Sequence, residues 1–178
     1  MKVLMMVAAC VLFVACGGGG GTSSKSATPE TSITSTAANT EPSTSAKTDY
    51  VAVFHGISDP ANKAGTTFTC ALNKLPNSAT GKDIAKLADP LADAFQEASG
   101  KFLEATWPSN MKADVRKMVA DIGLVIGDLR SASTLTGLNA AQWSQTLSSH
   151  LATGTVSINI VRVDLGLPAK KRDTAPNC

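Results

Sequence analysis

The chain has 178 residues, of which 43% are hydrophobic and 17% charged, with a formal net charge of +2. That length suits one domain plus an accessory segment, and so small a charge excludes a strong binder of nucleic acid or acidic polymers. Aromatic residues at 4% argue against a stacking platform for bases or sugars, and the 2 histidines exclude a multi-histidine metal centre.

The first segment reads as an address. Lys2 is followed by an uninterrupted apolar run of 13 residues, Val3 to Ala15. A membrane span needs about 17–25 residues, so the run has the length of a signal-peptide core. Phe13-Val14-Ala15-Cys16 resembles the lipobox of bacterial lipoproteins, with Phe13 where Leu is usual. The resemblance implies that the Cys16 thiol takes a diacylglyceryl group and that cleavage makes Cys16 the mature N-terminus. A rival box ends at Cys10, but it would leave a core of only about seven residues, the lower limit for such segments. It would also strand apolar residues 11–15 on the mature side. Five glycines, Gly17 to Gly21, follow Cys16 and suit a tether rather than a folded element.

Residues 16–48 read as a lipid-attached disordered tether. After Cys16 this stretch holds a single large apolar residue, Ile33, and from Thr22 to Thr48 15 of 27 residues are Ser or Thr. Such a segment buries too little apolar surface to offset its ordering entropy. A flexible chain of this length reaches roughly 30 Å, enough to hold a domain off a membrane. It serves as a bare spacer or as an O-glycosylated stalk.

Composition changes at Asp49, so residues 49–178 form the folded domain. Over 49–73, Tyr50, Phe54, Ile57, Ala61, Ala64, Phe68 and Leu72 keep a spacing of three to four. Gly56, Pro60 and Gly65 interrupt them, which predicts a broken or kinked helix. Over 80–105, Thr80 and Asp83 form a capping-box pattern ahead of a stripe from Ile84 to Phe102. Pro90 makes this either one kinked helix or a short helix followed by a long one. Over 109–131, Ser109 is a candidate cap for the stripe Met111, Val115, Met118, Ile122, Val125 and Leu129. A last helix is predicted from Asn139, capped with Gln142, along Trp143, Leu147, Leu151, Ile158, Val161 and Leu165. The β-branched run Thr155 to Val161 favours a strand by propensity, but the stripe crosses it without a phase change. Gly166 and Pro168 close the helix. The expected fold is all-α: an up-and-down bundle of four helices, the first kinked, or three helices plus an irregular N-terminal arm.

With Cys10 lost and Cys16 lipidated, Cys70 and Cys178 are the remaining pair. In an exported chain they are expected to form an intramolecular disulfide, the competing states being free thiols or an inter-chain bridge. In an up-and-down bundle the first helix ends at the opposite end from the last. The tail from Gly166 can extend roughly 40 Å, far enough to return along the bundle to Cys70.

No catalytic or cofactor signature is present: no HExxH, CxxC, phosphate-binding loop or nucleophile elbow. His55 and His150 read as packed or surface residues, and Asp89, Asp93 and Glu97 as solvated helix surface. Lys170-Lys171-Arg172 reads as a solubilising run that could also touch anionic lipid. Trp107-Pro108 is placed to plug one end of the bundle.

The layout resembles that of small actinobacterial, mycobacterial-type cell-envelope lipoproteins. The matching tracts are Phe68-Thr69-Cys70-Ala71-Leu72, Asp89 to Ala94, Trp107-Pro108, Asp114-Val115-Arg116 and Val161 to Pro168. The resemblance implies a protein anchored by lipid on the extracytoplasmic face of the cell membrane. With no nucleophile–base pair or metal set in view and so small a net charge, the domain is expected to be an interaction module for an envelope protein partner, with no nucleic acid, no cofactor and no enzymatic activity. Two alternatives are a carrier of a lipid or other apolar ligand, and a prophage-encoded exclusion lipoprotein.

Overall fold

The structure, a computed structural model, describes residues 44–137, 139–170 and 178. The signal segment, Cys10, Cys16 and the tether through residue 43 lie outside the described residues, as do Lys171 and Arg172. Four helices follow in chain order: α1 (Thr44–Leu72), α2 (Gly81–Glu104), α3 (Lys112–Arg130) and α4 (Ala140–Asp164), with a 3-10 turn at Ser131–Thr134. Among the described residues there is no strand, and the fold is an all-α helical bundle.

Each helix packs against the next one in sequence. The pairings run antiparallel. Phe54 meets Phe102 between α1 and α2, Arg130 reaches Asp89 and Asp93 between α3 and α2, and Asp128 and Asp121 on α3 meet His150 and Ser157 on α4. The stripes read from the sequence face inward. Phe54, Ala61, Phe68, Leu91, Phe95, Phe102, Val115, Met118, Leu129, Leu147, Leu151 and Val161 all belong to one buried cluster. Tyr50, Ile57, Ala64 and Leu87 are only partly buried at its edge.

Both helix-internal prolines are accommodated without dividing their helices. α1 is continuous through Pro60, so the expected break does not occur, and α2 is a single helix through Pro90. A proline deprives the carbonyl four residues earlier of its partner. Those carbonyls belong to Gly56 and Lys86, and these residues and both prolines are exposed, on a face open to solvent. α1 also starts at Thr44, before the expected boundary at Asp49. No glycine or proline lies between 43 and 55, and each residue added to an established helix gains a hydrogen bond.

The helix starts divide in outcome. Thr80 caps α2 as read: its backbone N–H donates to the Asp83 carboxylate at 3.0 Å and Asp83 N–H donates back to its hydroxyl at 3.4 Å. Ser109 does not cap α3, which begins three residues later at Lys112. A turn closed by Met111 N–H on the Pro108 carbonyl (3.0 Å) instead carries Met111 into the core. Asn139 precedes α4 but its side chain does not cap it. Its carboxamide oxygen accepts from Thr136 N–H at 2.7 Å, because the preceding turn is already hydrogen-bonded back to the Thr136 carbonyl. Gly81 is required by a close approach. A Cβ there would lie 2.6 Å from the Leu135 carbonyl oxygen and 2.8 Å from that of Ala132.

Candidate functional site

Cys70 and Cys178 are joined as a disulfide, with Cα atoms 5.4 Å apart and a sequence separation of 108. The tail reaches this point through a series of local attachments. Gly166 takes a left-handed conformation (φ 76°), which lets Leu167 N–H reach the Arg162 carbonyl and Gly166 N–H that of Val163. This pair of bonds ends α4 and reverses the chain. Arg162 Nε then donates to the Pro168 carbonyl at 3.1 Å. Asn159 grips the backbone of Lys170 with both ends of its carboxamide, donating at 2.9 Å and accepting at 2.8 Å. Lys170 is thereby held about one and a half turns back along α4, and Cys178 is fastened to α1. The reversal at Gly166 was legible in the sequence. The roles of Asn159 and Arg162 carried no signal, since neither sits in a recognisable motif.

At the end where α1 begins and α4 finishes, four aromatics form a cluster. Phe54 and Phe102 have centroids 5.5 Å apart, Phe102 and Trp107 6.0 Å, and Tyr50 and Trp107 6.1 Å. Trp107 is buried and its indole N–H donates to the Phe102 carbonyl at 2.7 Å. It plugs the bundle end, with no ring surface left for a ligand. Arg162 is 91% buried, its guanidinium 6.0 Å from the Phe54 ring centre. Burial pushes its pKa down from the usual arginine value. Its position in the last turn of α4 places the charge at the negative end of the helix dipole.

The titratable groups are used for cross-links between helices. His150 Nδ1 lies 2.6 Å from the Asp128 carboxylate, tying α4 to α3, while the Trp143 indole donates to the Asp128 carbonyl at 2.7 Å. Asp121 accepts from Lys117 (2.8 Å) and from the Ser157 hydroxyl, and these bonds hold its carboxyl below the usual carboxylate range. Asp89 and Asp93, read as plain solvated surface, are instead both reached by Arg130, whose pKa rises chiefly through the Asp93 bond. His55 pairs with Asp59 one turn away at 3.6 Å. Among the described residues no three His, Cys, Asp or Glu side chains gather to hold a metal ion.

The surfaces of the helices differ in charge. α2 presents Lys82, Lys86, Asp89, Asp93, Glu97, Lys101 and Glu104 to solvent, whereas α4 has no Asp, Glu, Lys or Arg between Ala140 and Val161. Its outer face exposes Val156 (62%), Ile160 (39%) and Val163 (58%). No described helix is long and apolar enough to cross a membrane. Compared with protein-family models, curated proteins and solved structures, the chain matches none.

Proposed function

We propose that the protein is an exported envelope lipoprotein, held through a lipid on Cys16 at the extracytoplasmic face of the cell membrane. Its helical domain serves as an interaction module rather than an enzyme. The observation that carries this reading is the run Val3 to Ala15, too short to span a bilayer, followed directly by Cys16 and five glycines. The fold supports it indirectly. The domain's Cys70 and Cys178 are joined to each other, so neither is needed as the lipid acceptor.

The test is partition between water and detergent. Expressed in a bacterium that processes lipoproteins, the full chain is expected in the detergent phase. Cys16→Ala is expected to remain unprocessed or to be released in soluble form. Normal processing and unchanged membrane association of Cys16→Ala would refute the anchor.

A further inference from the structure

Arg162 is the only charged side chain buried among the described residues, at 9% exposure. Buried charges are ordinarily paired. Arg162 is not: among the described residues no carboxylate forms an ion pair with it. Desolvation alone pushes its pKa down, with no charged neighbour contributing.

The guanidinium is fixed on one side and open on the other. Nε donates to the Pro168 carbonyl at 3.1 Å, and the Phe54 ring, centred 6.0 Å away, walls one face. Nη1 and Nη2 make no hydrogen bond to the described residues. They are not sealed off either, because the Ser99 hydroxyl is the one described side-chain group that lacks both a partner and solvent. The terminal nitrogens therefore reach solvent from a recess. The last carbonyls of α4 do not answer them. Those of Val161, Arg162 and Val163 already accept from the N–H groups of Leu165, Leu167 and Gly166.

A second cation is brought to the same place. Asn159, one turn before Arg162 on α4, holds the Lys170 backbone through both ends of its carboxamide. Lys170, the first residue of the run Lys170-Lys171-Arg172, is thereby seated within about one helical turn of Arg162.

We infer that Arg162 is an anion-binding residue whose open edge takes two oxygens of a phosphate group, with Lys170 at the rim. The planar fork of arginine matches two oxygens of one phosphate. A carboxylate would spend both its oxygens on that fork, whereas a phosphate keeps others for Lys170. The Pro168 bond and the Phe54 ring set the plane of the fork before the ligand arrives, so little ordering is lost on binding. The phosphate comes from a lipid headgroup or from free phosphate in solution, and the recess presents the same chemistry to both.

The test uses the full chain in a phosphate-free, non-ionic detergent, so its outcome does not depend on whether Cys16 carries lipid. Two probes are titrated at constant ionic strength: inorganic phosphate, and glycerophosphoglycerol, the deacylated headgroup of an anionic phospholipid. Each is expected to shift the Phe54 ring and Leu167 amide resonances saturably in the millimolar range, while chloride does not. Tighter binding of glycerophosphoglycerol assigns the site to lipid, and tighter binding of inorganic phosphate assigns it to the free ion. Arg162→Lys keeps the charge and loses the fork, and is expected to weaken binding about tenfold. Lys170→Gln leaves the end of α4 intact and is expected to weaken binding several-fold without moving the melting curve, which keeps the test valid if Arg162→Lys does not fold. No saturable shift from either probe overturns the inference. So do shifts that chloride reproduces, or affinities that neither substitution changes.

Discussion

Breaking the Cys70–Cys178 bond is expected to lower stability without dismantling the bundle. The bond closes a loop across 108 residues of sequence separation. In the chain-entropy model a loop of that size stabilises by about 4–5 kcal/mol, chiefly by restricting the unfolded chain. The attachments on the tail remain after reduction. Asn159 still holds Lys170 by two hydrogen bonds, and Arg162 still holds Pro168. The loss is therefore confined to the loop-closure contribution, and the helices keep their packing. For a domain of this size each kcal/mol moves the melting temperature by about 3–5 °C, so the expected drop is about 12–25 °C. The assay is thermal unfolding followed by far-ultraviolet circular dichroism, with and without dithiothreitol. Cys178 is exposed, so the reductant has access. A Cys70→Ala/Cys178→Ala chain should melt where the reduced parent melts and ignore the reductant. A drop below about 3 °C would refute the premise that the bond constrains the unfolded chain.

Gly81→Ala is expected to destabilise by about 1–3 kcal/mol in urea unfolding, because its methyl would press on the Leu135 and Ala132 carbonyls; Gly56→Ala, with open space around it, should not. Asn159→Ala removes both bonds to Lys170 and is expected to cost about 1–3 kcal/mol and to open the tail to limited proteolysis near Lys170. Asp83 has its pKa lowered chiefly by the Thr80 backbone N–H, so its stabilising contribution is present above the unfolded value near pH ~4 and lost as pH falls through the folded one. The stability difference between parent and Asp83→Asn should therefore shrink between pH 6 and pH 2.5, and a difference constant across that range would show that the capping box is not formed in solution.

Hydrophobic spacing made the helices legible, because each buries a stripe that repeats at the helical period. The 4-3-4-3-4 stripe of α3 and the passage of the α4 stripe through β-branched Thr155 to Val161 were both readable on that ground. Helix starts were less legible, because a cap depends on where the preceding turn goes. Thr80 keeps its cap, while burial of Met111 delays α3 past Ser109 and Thr136 claims the Asn139 carboxamide. Of the two outcomes expected for α1, a break or a kink, the break at Pro60 does not occur, because the proline's cost depends on solvent access to the orphaned carbonyl, which no single residue reports. At the tail, the pairing of Cys70 with Cys178 followed from counting cysteines and from tail length. The Asn159 clamp and the buried Arg162 did not, since each is one polar residue whose partner is backbone contributed by the returning tail.

The most direct measurement of the anchoring proposal is the mass of the N-terminal peptide of the mature protein, isolated from a bacterium that processes lipoproteins. The expected peptide begins at Cys16 and carries the added mass of a diacylglyceryl group. A mature chain beginning at any other residue, or one with an unmodified Cys16 thiol, would contradict it.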